Sequence, residues 1–164
     1  MNKRSVILMS FMVILLGFLV GCTSSGDNVK CKDIISKTLE TADKTNIDMT
    51  VVFGEKIYEN NFDRLYNFSI KKIDDGAIAY ASTGGYADEI SIVYVDSDKD
   101  KKTVQGYFQA RIQTRIQNFT GYKPKEVQKL ENAKVIIQGN YVVLIICDNV
   151  ENIETAIRQA INGN

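Results

Sequence analysis

The sequence predicts a single α+β domain built on a mainly antiparallel sheet of about four strands, with helices on at least one face. Three observations lead there. Strand-like segments cluster beside one another instead of alternating with helices. Three segments keep their apolar residues at helical spacing. The stretch from 31 to 164 has the length of one domain with one core.

A leader precedes that domain. Lys3 and Arg4 open the chain, and Val6 to Val20 is apolar without a charge. A basic start followed by an apolar run is the layout of a secretory signal. The run is shorter than the ~20 residues that span a bilayer comfortably. Leu19-Val20-Gly21-Cys22 resembles the bacterial lipobox, in which an aliphatic and a small residue precede a Cys. The resemblance implies that residues 1–21 are removed and that the Cys22 thiolate takes a diacylglycerol. It also implies that the new amino terminus is open to acylation, by palmitate for example. Two or more acyl chains anchor stably where one binds only marginally. Apart from this covalent lipid no cofactor is expected. Residues 22–30 are then the lipidated Cys and a small, polar, flexible tether. The domain sits on the extracytoplasmic face of the cell membrane.

The chain has 20 basic and 20 acidic residues, and losing Lys3 and Arg4 leaves 18 against 20. That slight acidity, without a basic patch, sets nucleic-acid binding aside. The sequence has no histidine. His triads, His metal sites and His acid–base chemistry are therefore excluded. Cys31 and Cys147 remain in a compartment that permits disulfides. Either they are bridged, or Cys147 is a small buried hydrophobe at a strand end and Cys31 stands at the loose start of the domain.

Ile35, Leu39 and Ala42 predict a helix over Lys32–Asp43. Ile47, Met49, Val51 and Phe53 alternate with polar residues as a short strand, although Val52 interrupts the pattern. Glu55–Tyr66 reads as a short helix or turn carrying Phe62, Leu65 and Tyr66 inward. Strands follow over Gly76–Thr83 and Glu89–Asp96. In the second, Ser91, Val93 and Val95 face one way and Ile90, Ile92 and Tyr94 the other, as in an interior strand. Between them, Gly84, Gly85 and Tyr86 form either a plain hairpin connection or a flexible contact loop presenting Tyr86.

Asp96-Ser97-Asp98-Lys99-Asp100 imitates the start of an EF-hand loop. Lys101 stands where that loop needs Gly, and Tyr107 where it needs Glu, so no metal site is expected. The acids suit the start of a helix instead. That helix, Thr103–Gly121, carries Val104, Phe108, Ile112, Ile116 and Phe119 on one stripe. Arg111 and Arg115 fall inside the stripe. Either their stems pack while their heads snorkel or pair with acids, or they form an anion or carboxylate site. Pro124 then opens a shorter helix over Lys125–Leu130. Lys134–Gln138 and Tyr141–Cys147 form a hairpin about Gly139-Asn140. The unbroken apolar run Val142–Ile146 marks a strand covered on both faces. Ile153, Ala156, Ile157, Ala160 and Ile161 predict a last helix, with Asn149 or Asn152 as its cap.

Leu65-Tyr66, Ala87 to Ile92, the spacing Arg111…Phe119…Tyr122-Lys123-Pro124 and Gly139 to Val142 together resemble a domain-of-unknown-function family, the one numbered 4358. That family occurs in lipoproteins of Gram-positive bacteria, and the resemblance spans roughly Phe53–Asp148. It implies a small lipoprotein domain and carries over no catalytic residue. The role that fits best is a non-catalytic binding or assembly module of the cell envelope, holding a protein or cell-wall partner. A small solute- or anion-binding lipoprotein, seated on Arg111 and Arg115, is the alternative. An envelope hydrolase fits least, because adjacent Asp88 and Glu89 on a strand would point to opposite faces.

Overall fold

The computed structural model describes residues 28–41, 49–67 and 73–163. The leader, Cys22, most of the tether and Ile47 lie outside the described residues. Five helices and five strands follow in the order α1 (Cys31–Thr41), β1 (Met49–Phe53), α2 (Glu55–Tyr66), β2 (Asp75–Ala81), β3 (Glu89–Tyr94), α3 (Asp98–Phe119), α4 (Pro124–Glu131), β4 (Lys134–Gln138), β5 (Tyr141–Ile146) and α5 (Val150–Ile161). The strands form one sheet in the order β1-β2-β3-β5-β4, and every neighbouring pair is antiparallel.

The α+β class is as the sequence predicts, but the sheet has five strands and both faces are covered. The segment that Val52 interrupts is a strand as read, β1, at the edge of the sheet. At this sheet edge Met49 and Val51 pack on one core layer and Val52 on the other. A strand that touches apolar layers on both faces need not alternate. One core layer joins Ile34 and Ile35 of α1 to Ile153 and Ile157 of α5 across Ile90, Ile92, Val143 and Ile145. The opposite layer joins Phe62 of α2, Phe108 of α3 and Leu130 of α4 across Ile78, Val93, Val142 and Leu144. β3 and β5 therefore have dry faces on both sides, which their apolar runs require.

α3 starts at Asp98, five residues before the predicted Thr103. Ser97 caps it by accepting from the Asp100 amide at 3.1 Å, a bond whose loss typically costs ~1 kcal/mol. Asp98 reaches Lys101 at 2.9 Å, and Asp100 accepts from the Ser97 hydroxyl at 2.6 Å. The acids of the EF-hand imitation are thus engaged at the start of this helix. Asn149 holds the cap position of α5, yet its side chain makes no capping bond.

The register sorts the connections to two ends of the sheet. Asp75, Tyr94, Tyr141 and Gln138 lie together at one end, and Glu89, Ile146 and the start of β4 at the other. The amino-terminal segment is fastened at the first end. Val29 accepts from the Tyr141 hydroxyl at 2.7 Å, Asn28 donates to the Tyr94 hydroxyl at 2.6 Å, and the Cys31 amide donates to Asp75 at 2.7 Å.

This sorting corrects the disulfide alternative. Cys31 and Cys147 are free thiols, both buried. Cys31 begins α1 beside Asp75, whereas Cys147 follows Ile146 at the opposite sheet end. Six strand residues separate those ends, roughly 20 Å, and a disulfide needs Cα atoms within about 7 Å. Burial pushes the Cys147 thiol up to about 11, and burial with Asp75 raises Cys31 further still. In protein carrying Cys22→Ser, denatured without reductant, thiol titration should find two thiols per chain; finding none would restore the bridge.

Candidate functional site

Charge concentrates at the second sheet end, on the α2–α3–α4 side. Glu89 opens β3 and is 1% exposed. A carboxylate buried so completely needs a cation and hydrogen bonds. Arg111 of α3 supplies both: Nη2 donates to Oε2 at 2.7 Å and Nε to the same oxygen at 3.2 Å. The Tyr66 hydroxyl donates to Oε1 at 2.7 Å and is hydrogen-bonded to the Ser91 hydroxyl. Arg111 Nη1 donates to the Leu65 carbonyl at 3.0 Å, satisfying a carbonyl in the last turn of α2. Burial disfavours the Arg111 cation, but Glu89 outweighs it and holds the guanidinium above its ordinary range. Burial and the Glu89 charge push the Tyr66 phenol well up.

A second network lies on α4. Lys129 Nζ meets Asp88 at 2.7 Å, Glu126 at 3.3 Å and the exposed Asp148 at 3.5 Å. Burial raises Asp88, which Lys129 only partly offsets. Asp88 precedes β3 proper and turns to Lys129, while Glu89 turns to Arg111. The two adjacent carboxylates are thus held by separate cations.

The connection between β2 and β3 rests on these networks. The Ala87 amide donates to Glu126 at 2.8 Å. Two further cations hold consecutive loop carbonyls: Lys123 Nζ donates to Gly85 at 2.6 Å and Arg115 Nη2 to Tyr86 at 2.7 Å. A Cβ on Gly85 would stand 3.0 Å from Lys123 Nζ, closer than an ordinary contact. Lys123 Nζ also lies 4.7 Å from the Tyr86 ring centre and 5.9 Å from that of Tyr122. Those rings are 41% and 70% exposed, so one end of the molecule shows two tyrosines around an ammonium. Arg115 stacks on Phe119 at 4.8 Å. Its Nε is buried and, among the described residues, has no acceptor. Burial, then repulsion from Arg111, lowers the Arg115 pKa.

The structure therefore separates the two arginines that helical spacing puts together. Arg111 is committed inside to Glu89. Arg115 turns to the loop, where Gly84, Gly85 and Tyr86 form a hairpin connection held by side chains. Lys123, Glu126 and Lys129 were missed. A usable signal existed: Glu126 lies one turn before Leu130 and Lys129 beside it, so both fall near the buried stripe of α4. Among the described residues no group of His, Cys, Asp or Glu is placed to hold a metal ion, and no helix is long and apolar enough to cross a membrane.

These roles predict different responses. Arg111→Met leaves Glu89 buried without its cation and should cost ~3–5 kcal/mol. Arg115→Met should change stability by no more than ~1 kcal/mol, since it loses about one net hydrogen bond and also removes an orphaned N–H. Urea midpoints compare them; equal losses would overturn the division of roles. Tyr66 supplies a pH signature. A phenol whose folded pKa is raised stabilises fully below the unfolded value of ~10 and loses that stability as pH rises toward the folded value. Stability should fall above ~pH 10, and the fall should be smaller in Tyr66→Phe; identical pH profiles would contradict the burial of this phenol.

No significant match was found among curated proteins or among solved structures. Residues 34–147 match the family model described as a domain of unknown function (DUF4358). With that match covering well over half of its length, the chain belongs to this family.

Proposed function

We propose that the chain is a lipoprotein anchored through Cys22 to the extracytoplasmic face of the membrane. Its domain is a non-catalytic binding or assembly module of the cell envelope, and its contact end is the Gly84–Tyr86 loop with Tyr122. One observation carries this reading: the segment Asn28–Cys31 is fastened at the sheet end opposite that loop. From Cys22 to Asn28 the chain spans at most about 20 Å. An anchor at Cys22 would hold the first end near the bilayer and turn the exposed tyrosines outward. Tyrosines suit a contact surface because they offer a large rigid area with a polar tip. The nearby buried carboxylates Asp88 and Glu89 are each bound by a cation of the fold, which favours binding over acid–base chemistry. A bacterial host of Gram-positive type goes with the family resemblance.

Two experiments test the two halves. Cys22→Ala should leave the leader uncut and the chain without lipid; release of a processed, lipid-bearing form would refute the anchor. A photocrosslinking residue replacing Tyr122 in intact cells should capture a defined envelope partner. The same residue replacing Lys99, at the opposite end, should not. Capture from Lys99 alone would reverse the assigned contact end, and capture from neither would remove the binding role.

A further inference from the structure

We propose that Arg115 and Lys123 form an anion site at this contact end, taking a carboxylate or phosphate group either as a free ion or as the repeating unit of an extracytoplasmic polymer. The inference rests on the proposed role of that end and adds the chemistry of what binds there.

Among the described residues, two cations at this end lack a direct ion pair. Glu89 is neutralised by Arg111, and Asp88 by Lys129. Glu126 accepts from the Ala87 amide and leans on Lys129. Arg115 and Lys123 are left with neutral partners: among the described residues each donates to a loop carbonyl and lies against aromatic rings, and neither has a carboxylate within ion-pair distance. They hold neighbouring carbonyls, Tyr86 and Gly85, so their heads are brought to the same loop. A guanidinium has five N–H donors and an ammonium three, and the loop takes one from each. The orphaned Nε shows the same surplus of donors over acceptors. An arginine and a lysine bound to one loop with spare donors suit an oxyanion, which accepts several charge-assisted hydrogen bonds at once. Tyr86 and Tyr122 flank the ammonium and would shield such bonds from water.

The test uses the full chain, purified in a zwitterionic detergent, titrated at low and at physiological salt. The probes are inorganic phosphate, acetate, a glycerol-phosphate oligomer, oligogalacturonate and octaglutamate. The expected result is that phosphate, acetate, the glycerol-phosphate oligomer or oligogalacturonate binds and that Arg115→Gln and Lys123→Ala each weaken it at least tenfold, with both variants folded and their thermal midpoints lowered by no more than about 5 °C. Lys99→Ala, at the opposite end, should leave binding intact. Preference for the free ions assigns a small-solute source, and preference for the glycerol-phosphate oligomer or oligogalacturonate assigns a polymer source. Preference for octaglutamate would transfer the site to an acidic protein segment and overturn the proposal. So would binding that is insensitive to both variants, equally sensitive to Lys99→Ala, or absent for every probe. These results are separable from the contact role: crosslinking at position 122 that survives Arg115→Gln and Lys123→Ala leaves the module standing and removes the anion site.

Discussion

The rest of the structure depends on the burial of Glu89. β3 lies in the middle of the sheet and must be dry on both faces, yet its first residue is a carboxylate. Burying that charge unpaired would cost several kcal/mol or more. The fold answers with Arg111, Tyr66 and Ser91, drawn from α3, α2 and β3 itself. This one carboxylate therefore sets how two helices sit on the sheet. A hydrophobic residue could fill the same volume at less cost. What the ion pair adds is position: Arg111 meets Glu89 in one register of α3. Arg115, one turn further on, then comes to the Tyr86 carbonyl. The ordering of the β2–β3 connection thus begins with an interaction inside the core.

The antiparallel register carries that constraint to the scale of the whole domain. Strand β3 has the Glu89 network at its start and Tyr94, stacked edge-on against Tyr141 at 5.1 Å, at its end. The first end orders the β2–β3 connection, and the second fastens Asn28 and Val29. About 17 Å of strand separates them, from five residue steps of a β-strand. If the domain is tethered at the first end, as proposed, it would need no hinge to direct the second end away from the membrane.

Much of the fold was legible because the elements are locally consistent. The stripe of Val104, Phe108 and Ile112, the two-faced β3 and the Gly139-Asn140 hairpin all state their structure by period and turn chemistry. Val52 interrupts the alternation of β1 because this half-buried edge strand lays Met49 and Val51 on one core layer and Val52 on the other. The start of α3 was read late because the first turn of a helix is specified by capping polar groups, not by apolar spacing. The site was half legible. Arg111 and Arg115 were visible as charges on a core stripe, and Glu89 and Ser91 as polar residues on one face of an apolar strand. Their pairing was not, since which helix covers which strand is a long-range fact. Lys123 could not be read at all. Its neighbours Gly85 and Tyr86 are brought to it by tertiary folding, and nothing in Tyr122-Lys123-Pro124 marks more than a helix end.

The most direct test of this picture is the depth of each sheet end relative to the bilayer. Spin labels on Lys99→Cys and Tyr122→Cys, in the full chain reconstituted into vesicles, report it through relaxation by a lipid-bound paramagnet. The native thiols are buried and react slowly, so the introduced cysteines take the label. If Cys22 holds the Asn28–Cys31 end toward the membrane, position 99 relaxes strongly and position 122 weakly, in keeping with the roughly 30 Å that α3 rises from Lys99 to Phe119. Equal relaxation at both, or stronger relaxation at 122, would contradict an outward-facing contact end.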